Sequence, residues 1–120
     1  MVHPTIRVPD RYNFARHILE RNAGRGRKVA YIDDTWRLTY AELDQRVRAC
    51  AAGLLALGIA PEGRVLLIMQ DSVDLPIVFL GALLAGVVPV PVNTLLPPED
   101  HAYMLRDSGA GAVIAFAEKD

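Results

Sequence analysis

The 24 residues between Asp74 and Glu99 carry no charge, and this stretch constrains the fold more than any other part of the sequence. An apolar helix of that length would be long enough to span a bilayer. A proline, however, lacks the amide donor that a helix interior needs, and glycine is a poor helix former. The stretch is interrupted by Pro76, Gly86, Pro89 and Pro91. We therefore predict a buried helix followed by a buried strand, and no transmembrane span.

The helix is predicted over Leu75–Ala85, with Ser72 or Asp74 as its cap. None of its side chains is polar, so the helix must be enclosed on most sides. Gly86 is expected to end it. Val87–Val92 then follows as a strand, and together the two elements are interpreted as the centre of an α/β sheet.

Two details refine this interpretation. Gly81 lies inside the predicted helix and would let a neighbouring element approach closely. Pro89 and Pro91 are two residues apart, so their missing amides point the same way. This spacing predicts a strand that lacks a hydrogen-bonding neighbour on one side, or that leaves the sheet at its end.

The flanking sequence extends the pattern. Arg64–Gln70 is an apolar run of strand length, and Ala112–Phe116 is another. Between the second and third strands, a helix is predicted to begin at Pro97 and Pro98 and to be ended by Ser108 and Gly109. The order strand, helix, strand, helix, strand over about residues 64–116 predicts the parallel core of a partial doubly wound α/β sheet.

Smaller elements are predicted before this core. A helix is expected from about Asn13 to Ala23, and Val29–Asp33 with Trp36–Leu38 is expected to form a small hairpin. The apolar side of the helix is predicted to hold Phe14, Ile18 and Leu19.

Thr39 opens the clearest helix of the sequence. Thr39 and Glu42 have the spacing of a capping box, in which each side chain accepts a hydrogen bond from the other residue's amide. Gly58 stands where a left-handed residue after the helix belongs. A single apolar stripe is predicted to hold Leu43, Val47, Cys50, Leu54 and Leu57. Glu42 and Cys50 are therefore interpreted as structural residues and not as a base or a nucleophile.

Length and composition allow one domain, residues 1–120, with no internal boundary. A formal net charge of −1 implies no general attraction to nucleic acid. Residues 1–30 are rich in Arg and Lys, but these are interleaved with acids, which is typical of a solvated surface. One cysteine cannot form an intramolecular disulfide, which fits a reducing cytoplasm. No signal-peptide core follows the amino terminus, so secretion has no support.

A search for chemistry finds little. The sequence has no phosphate-binding loop, dinucleotide fingerprint, zinc-protease motif or nucleophile elbow. The histidines, His3, His17 and His101, have no spacing that would suggest a shared metal, so no metal site is predicted. Ligands of open α/β sheets bind beyond the carboxyl ends of the strands. Asn93 and Thr94 are the best polar candidates for substrate binding there, although they could equally cap and turn the chain. No catalytic residue is assigned.

The amino-acid sequences of several segments resemble those of a known protein family. These segments are L-T-Y-A-E-L at Leu38–Leu43, G-I-A-P-E-G-R-V-L-L from Gly58, the apolar run at Phe79–Leu96 and A-Y-M-L-R-D-S at Ala102–Ser108. In order and spacing they resemble the amino-terminal region of acid:CoA ligases of the adenylate-forming superfamily. The phrases V-A-Y-I-D-D and P-V-N-T-L-L are closest to benzoate-CoA ligases and their aryl-acid relatives. The resemblance extends from Tyr12 onward.

This resemblance implies a cytoplasmic, ATP-dependent ligase that uses Mg and CoA and acts through an acyl-adenylate on an aryl carboxylic acid. Members of the family are several times longer, and their phosphate loop, nucleotide-binding residues and catalytic lysine have no counterpart in this chain. The chain is therefore expected to be the amino-terminal part of the large domain, inactive alone, with the rest of the ligase as its partner. Some relatives carry a basic residue after the P-V-N strand that could approach CoA, whereas this chain has Leu95 and Leu96 there.

Two alternatives remain open at this point. One is part of an amino-acid-activating adenylation domain, which would pass its adenylate to a carrier protein. The other is a free-standing small α/β binding or interaction module. An incomplete domain is expected to expose apolar surface and to self-associate through it, whereas a free-standing module is expected to be monomeric.

Overall fold

The computed structural model describes residues 7–115, and these residues form helices and strands in the predicted order. A short 3₁₀ turn, Ala23–Arg25, follows the first helix. The helices are α1 (Phe14–Arg21), α2 (Tyr40–Ala56), α3 (Asp74–Leu84) and α4 (Pro98–Ser108). The strands are β1 (Val29–Ile32), β2 (Arg37–Thr39), β3 (Arg64–Ile68), β4 (Val88–Pro91) and β5 (Ala112–Ala115). No helix in this range is both long enough and apolar enough to cross a bilayer.

The strands after α2 form a parallel sheet in the order β4, β3, β5, which confirms the predicted fold class. Leu66 of β3 lies opposite Val90 on one side and Val113 on the other. The central strand is therefore β3, and the expectation that β4 would be at the sheet centre is wrong for the described residues. Sheet order depends on contacts distant in sequence, so the apolar character of β4 could not determine its place.

The prediction from the two prolines is confirmed. The amides of Val88 and Val92 donate to Gly63 and Leu67, on the side of β4 that faces β3. Pro89 lies between them, and its missing amide faces away from β3. Proline is therefore tolerated here because that side of β4 has no strand to pair with among the described residues.

The sheet order also places the two crossover helices. The chain passes from β3 to β4 in one direction and from β4 across β3 to β5 in the other. Because both crossovers between parallel strands are expected to be right-handed, α3 and α4 are expected to lie on opposite faces of the sheet. The burial of Val65, Leu66 and Leu67, which point alternately to the two faces, agrees with this arrangement.

The helices α2 and α3 pack closely against each other at Gly81. A Cβ atom at this position would lie 2.7 Å from the Cys50 Sγ atom and 3.3 Å from the Val47 carbonyl oxygen. Only glycine allows the helices to approach so closely, which confirms the role predicted for Gly81. Gly86 follows α3 with a φ of 78°, so its predicted role in ending the helix is also confirmed.

The capping box at the start of α2 is present as predicted. The Thr39 hydroxyl accepts a hydrogen bond from the Glu42 amide at 3.2 Å, and the Glu42 carboxylate accepts one from the Thr39 amide at 3.1 Å. Gly58, just past the helix, has the expected positive φ of 77°.

The predicted stripe on α2 is only partly right. Leu43, Val47 and Leu54 are buried, but Cys50 is half-buried and Leu57 is 70% exposed. Ala51, next to Cys50, is buried instead. An α-helix has 3.6 residues per turn, so its buried side departs gradually from a strict spacing of four and three residues. Leu57 falls after the last helical residue, so the helical periodicity no longer directs it inward.

The first helix is shorter than predicted, and its buried side differs. Ala15 and Leu19 are buried, Ile18 is half-buried, and Phe14 is 48% exposed, so the inward placement of Phe14 was wrong. The side chain of Asn13 fixes the orientation of the helix. Its Oδ1 accepts from the Arg16 amide, and its Nδ2 donates to the Leu83 carbonyl of α3 at 2.7 Å.

The cap predicted for α3 was also wrong. The N-cap is Val73, which has no capping side chain, and Asp74 is already helical. Ser72 still contributes, because its hydroxyl accepts from the Asp74 amide at 3.2 Å. The free amide of Val73 donates instead to Asp33 Oδ2 at 2.9 Å, across 40 residues of sequence. Asp33 lies in the hairpin turn, so this bond ties the hairpin to the start of α3.

The strand ends differ from the predictions by one or two residues. β3 ends at Ile68 instead of Gln70, and β4 covers Val88–Pro91 instead of residues 87–92. The predicted end of the last strand at Phe116 lies outside the described residues, as does His3.

Candidate functional site

The predicted binding edge is formed by the segments that follow β3 and β4. Asn93 is exposed there and Thr94 is half-buried. Asn93 Oδ1 accepts a hydrogen bond from the Leu95 amide at 2.9 Å, which is an Asx turn. This bond gives the Asn93 side chain a local structural role. The residues that follow the third parallel strand, β5, would also lie at this edge, but they are outside the described residues.

His101 approaches this turn, a contact that the sequence analysis missed. Its Nε2 atom lies 2.8 Å from the Asn93 carbonyl oxygen. Because a carbonyl can only accept, Nε2 must carry the hydrogen. His101 stands in the second turn of α4, which begins after Pro97, so the helix returns this ring to the loop that precedes it.

A larger feature lies beside the same edge, between the hairpin and α3. It is an open, mostly apolar cleft of about 500 Å³. The hairpin contributes Tyr31 and Ile32, and the opposite wall contains Pro76 and Phe79 of α3. Phe14 of α1 also lines the cleft. The cleft is thus assembled from segments that are distant in sequence, and neither Asn93 nor Thr94 lines it.

Polar groups are sparse in this cleft. Asp71 is the only charged lining residue among residues 7–115, and it is exposed at the carboxyl end of β3. Behind the lining, the Asp33 carboxylate accepts from the amides of Val73, Trp36 and Thr35 at 2.6–2.9 Å. These hydrogen bonds, with that from Val73 the strongest influence, hold the pKa of Asp33 below its ordinary value. Asp33 therefore stabilises the cleft as a carboxylate.

The two other residues considered in the sequence have structural roles. Hydrogen bonds from the Thr39 amide and hydroxyl hold the pKa of Glu42 below its ordinary value. A carboxyl with a lowered pKa and fixed partners is a poor proton acceptor. Burial raises the pKa of the Cys50 thiol, which disfavours the thiolate that a nucleophile needs.

Among residues 7–115, no group of three His, Cys, Asp or Glu side chains is placed to hold a metal. The sequence also has no glycine-rich phosphate loop. The cleft can bind or pack apolar groups.

Comparison with known proteins identifies the origin of this arrangement. Residues 18–120 match the family model described as AMP-binding enzyme. The chain is 47% identical over 118 residues to a benzoate–CoA ligase of Thauera aromatica, covering 96% of this chain and 22% of that protein. It is 42% identical over 109 residues to a 4-hydroxybenzoate–CoA/benzoate–CoA ligase of Rhodopseudomonas palustris, covering 89% of this chain and 20% of that protein.

Solved structures agree. A benzoate CoA ligase from Burkholderia xenovorans superposes with a TM-score of 0.85 at 56% sequence identity, covering 87% of this chain and 21% of that one. The chain spans about a fifth of the length of the relatives it matches. The match confirms the predicted resemblance in both sequence and fold. Because the family model covers most of the chain, the chain belongs to the AMP-binding enzyme family.

Proposed function

We propose that this chain forms the amino-terminal part of the large domain of an ATP-dependent aryl-acid:CoA ligase. The observation that carries the proposal is the 47% identity to a benzoate–CoA ligase over 96% of the chain. The matched structure at 56% identity is also a benzoate CoA ligase, so a benzoate-like acid is the proposed substrate class. The proposed setting is the cytoplasm.

In this proposal the chain is scaffold and does not carry the chemistry. The complete enzyme would join the acid to ATP with loss of pyrophosphate, and CoA sulfur would then displace AMP from the acyl-adenylate. The ATP, Mg and CoA sites would be completed by the rest of the ligase. The described residues contribute a parallel sheet whose helices are fixed by a glycine contact and by the hydrogen bond that the Val73 amide donates to Asp33.

A thioester assay tests the proposal directly. The 120-residue chain and the product of the gene extended beyond residue 120 are each incubated with ATP, Mg, CoA and benzoate. We expect benzoyl-CoA and AMP from the extended product and no turnover from the chain alone. Turnover by the chain alone would refute the scaffold role. If the extended protein transfers the acyl group to the phosphopantetheine of a carrier protein and not to CoA, the CoA-ligase function is refuted.

Asn93 and Thr94 remain the proposed contacts between this chain and the substrate. The Asn93 Oδ1 atom is occupied by the Leu95 amide, which leaves the Nδ2 group and the Thr94 hydroxyl as the groups offered to a ligand. In the extended product, Thr94→Val removes only a hydroxyl and preserves the shape of the side chain. We expect a several-fold higher KM for the acid, about the loss of one hydrogen bond. An unchanged KM would assign this residue to the turn alone.

A further inference from the structure

Three large apolar side chains that line the cleft between the hairpin and α3 are exposed to solvent. Ile32 is 63% exposed, Tyr31 is 41% exposed and Phe14 is 48% exposed, and all three line the cleft. Single exposed apolar residues are common, but a contiguous group around a concavity marks an interaction site.

The cleft is preformed. The bond from the Val73 amide to Asp33 Oδ2 joins its two walls, and the other carboxylate oxygen of Asp33 fixes the hairpin turn through Thr35 and Trp36. The hairpin is thus fixed to the start of α3 and cannot simply collapse onto Phe79 to close the gap. A preformed cavity lowers the ordering cost of whatever binds in it.

The charge around the cleft limits the chemistry of its occupant. Asp71 is the only charged lining residue in the part of the chain that the structure describes. The nearest base in strand register, Arg37 opposite Ile32, is not among the lining residues. An aryl carboxylate would meet an uncompensated Asp71 there, whereas a basic side chain would be attracted to it. An apolar segment that carries one Lys or Arg therefore fits the cleft better than the acid substrate does.

We infer that this cleft is the docking site for an apolar segment with a basic residue, supplied by the portion of the ligase that lies outside the aligned region. The inference rests on the proposed function. It is supported by the length of the relatives, since this chain covers only 22% of the Thauera aromatica ligase, and the remainder of that ligase is long enough to supply such a segment. The apolar residues anchor the segment, and Asp71 sets its register.

The experiment reconstitutes the interface from two pieces. This chain is co-expressed with a tagged Thauera aromatica benzoate–CoA ligase that lacks the segment aligned with it, and association is measured by co-purification and then by titration. Ile32→Asp places a charge in the apolar wall. The matched control is Leu57→Asp, because Leu57 is similarly exposed, at 70%, but lies at the end of α2 and does not line the cleft. We expect Ile32→Asp to weaken association by at least about tenfold and Leu57→Asp by less than about twofold.

A second variant protects the test against misfolding of the hairpin. Phe14 is the first residue of α1, where an acidic residue favours the helix, so Phe14→Asp should leave the fold intact and still weaken association. Asp71→Lys tests the charge, with the exposed Asp34→Lys as a control outside the lining. We expect only the Asp71 variant to weaken association, and more so at low salt.

Several results would overturn the inference. These are no association with the unmodified chain, equal effects of Ile32→Asp and Leu57→Asp, competition by benzoate for the cleft, and a dimer of this chain that Ile32→Asp dissociates. Failure of the proposed function gives a different result. In that case the two pieces associate through the cleft, but neither they nor the extended gene product form benzoyl-CoA.

Discussion

Replacement of Gly81 by alanine tests how α2 and α3 pack. The new Cβ atom would lie 2.7 Å from the Cys50 Sγ atom and 2.8 Å from its Cβ atom, distances that real Cβ contacts essentially never show. Because the Cys50 Cβ atom and the Val47 carbonyl belong to helix α2 itself, the two helices must move apart. Overpacking of this kind costs about 1–3 kcal/mol. Alanine regains up to about 1 kcal/mol of helix propensity, so we expect a net loss of up to about 2 kcal/mol.

Urea unfolding of the chain, monitored by circular dichroism, measures this loss of unfolding free energy. The control is Gly53→Ala in α2, where a Cβ atom would meet nothing within 4 Å. We expect that variant to be more stable by up to about 1 kcal/mol, because only the helix propensity changes. Adding Cys50→Gly to Gly81→Ala should recover part of the loss, since it removes the two atoms nearest to the new Cβ atom. Equal stabilisation by Gly81→Ala and Gly53→Ala would refute the close approach of the helices.

Three further variants test the polar contacts that fix the elements. Thr39→Ala removes the cap of α2 and should lower the unfolding free energy by about 1 kcal/mol in urea unfolding. Asp33→Asn should speed hydrogen exchange of the Val73 amide, with Asp34→Asn as a control that leaves it unchanged. The same Asp33 variant should flatten the acid limb of a stability profile. A carboxyl whose pKa is lowered by folding stabilises the fold at pH values above its pKa in the unfolded chain, about 3.9. This stabilisation is lost as the pH falls through the lower pKa of the folded state. Arg64→Met should speed exchange in the last turn of α4, because the guanidinium donates to the carbonyl of Ser108 at 2.6 Å.

The parallel core could be predicted because its signals are local. Each strand is a short apolar run bounded by turn residues, and the crossover helices begin and end at residues with special backbone preferences. The Thr39 capping box depends on a spacing of three residues, so the sequence alone determines it. The resemblance to benzoate-CoA ligases was also carried by contiguous phrases, which is why comparison with known proteins confirmed it.

The errors arose where the structure depends on distant contacts. The residues around Val88–Pro91 do not indicate which strand lies at the sheet centre. The two prolines of this strand did correctly indicate that one of its sides is unpaired. Phe14 was placed inward from its spacing to Ile18, but the position of α3 instead buries Ala15 and Leu19. Periodicity shows that a helix has an apolar side, and the neighbouring element decides which residues of that side are covered.

Asp33 and Asn93 show why the candidate site was harder to predict than the fold. Both are short polar residues in turns, and both accept a hydrogen bond from an amide two residues later, which is what their sequence context predicts. Asp33 differs because its second oxygen reaches the Val73 amide, and that contact exists only after the hairpin has packed on α3. Asp33 therefore has the sequence context of an ordinary turn residue, yet it joins the two walls of a cleft that is formed by segments distant in sequence. The apolar surface of that cleft, and not the polar turn at Asn93, is where the rest of a ligase would gain most from binding this chain.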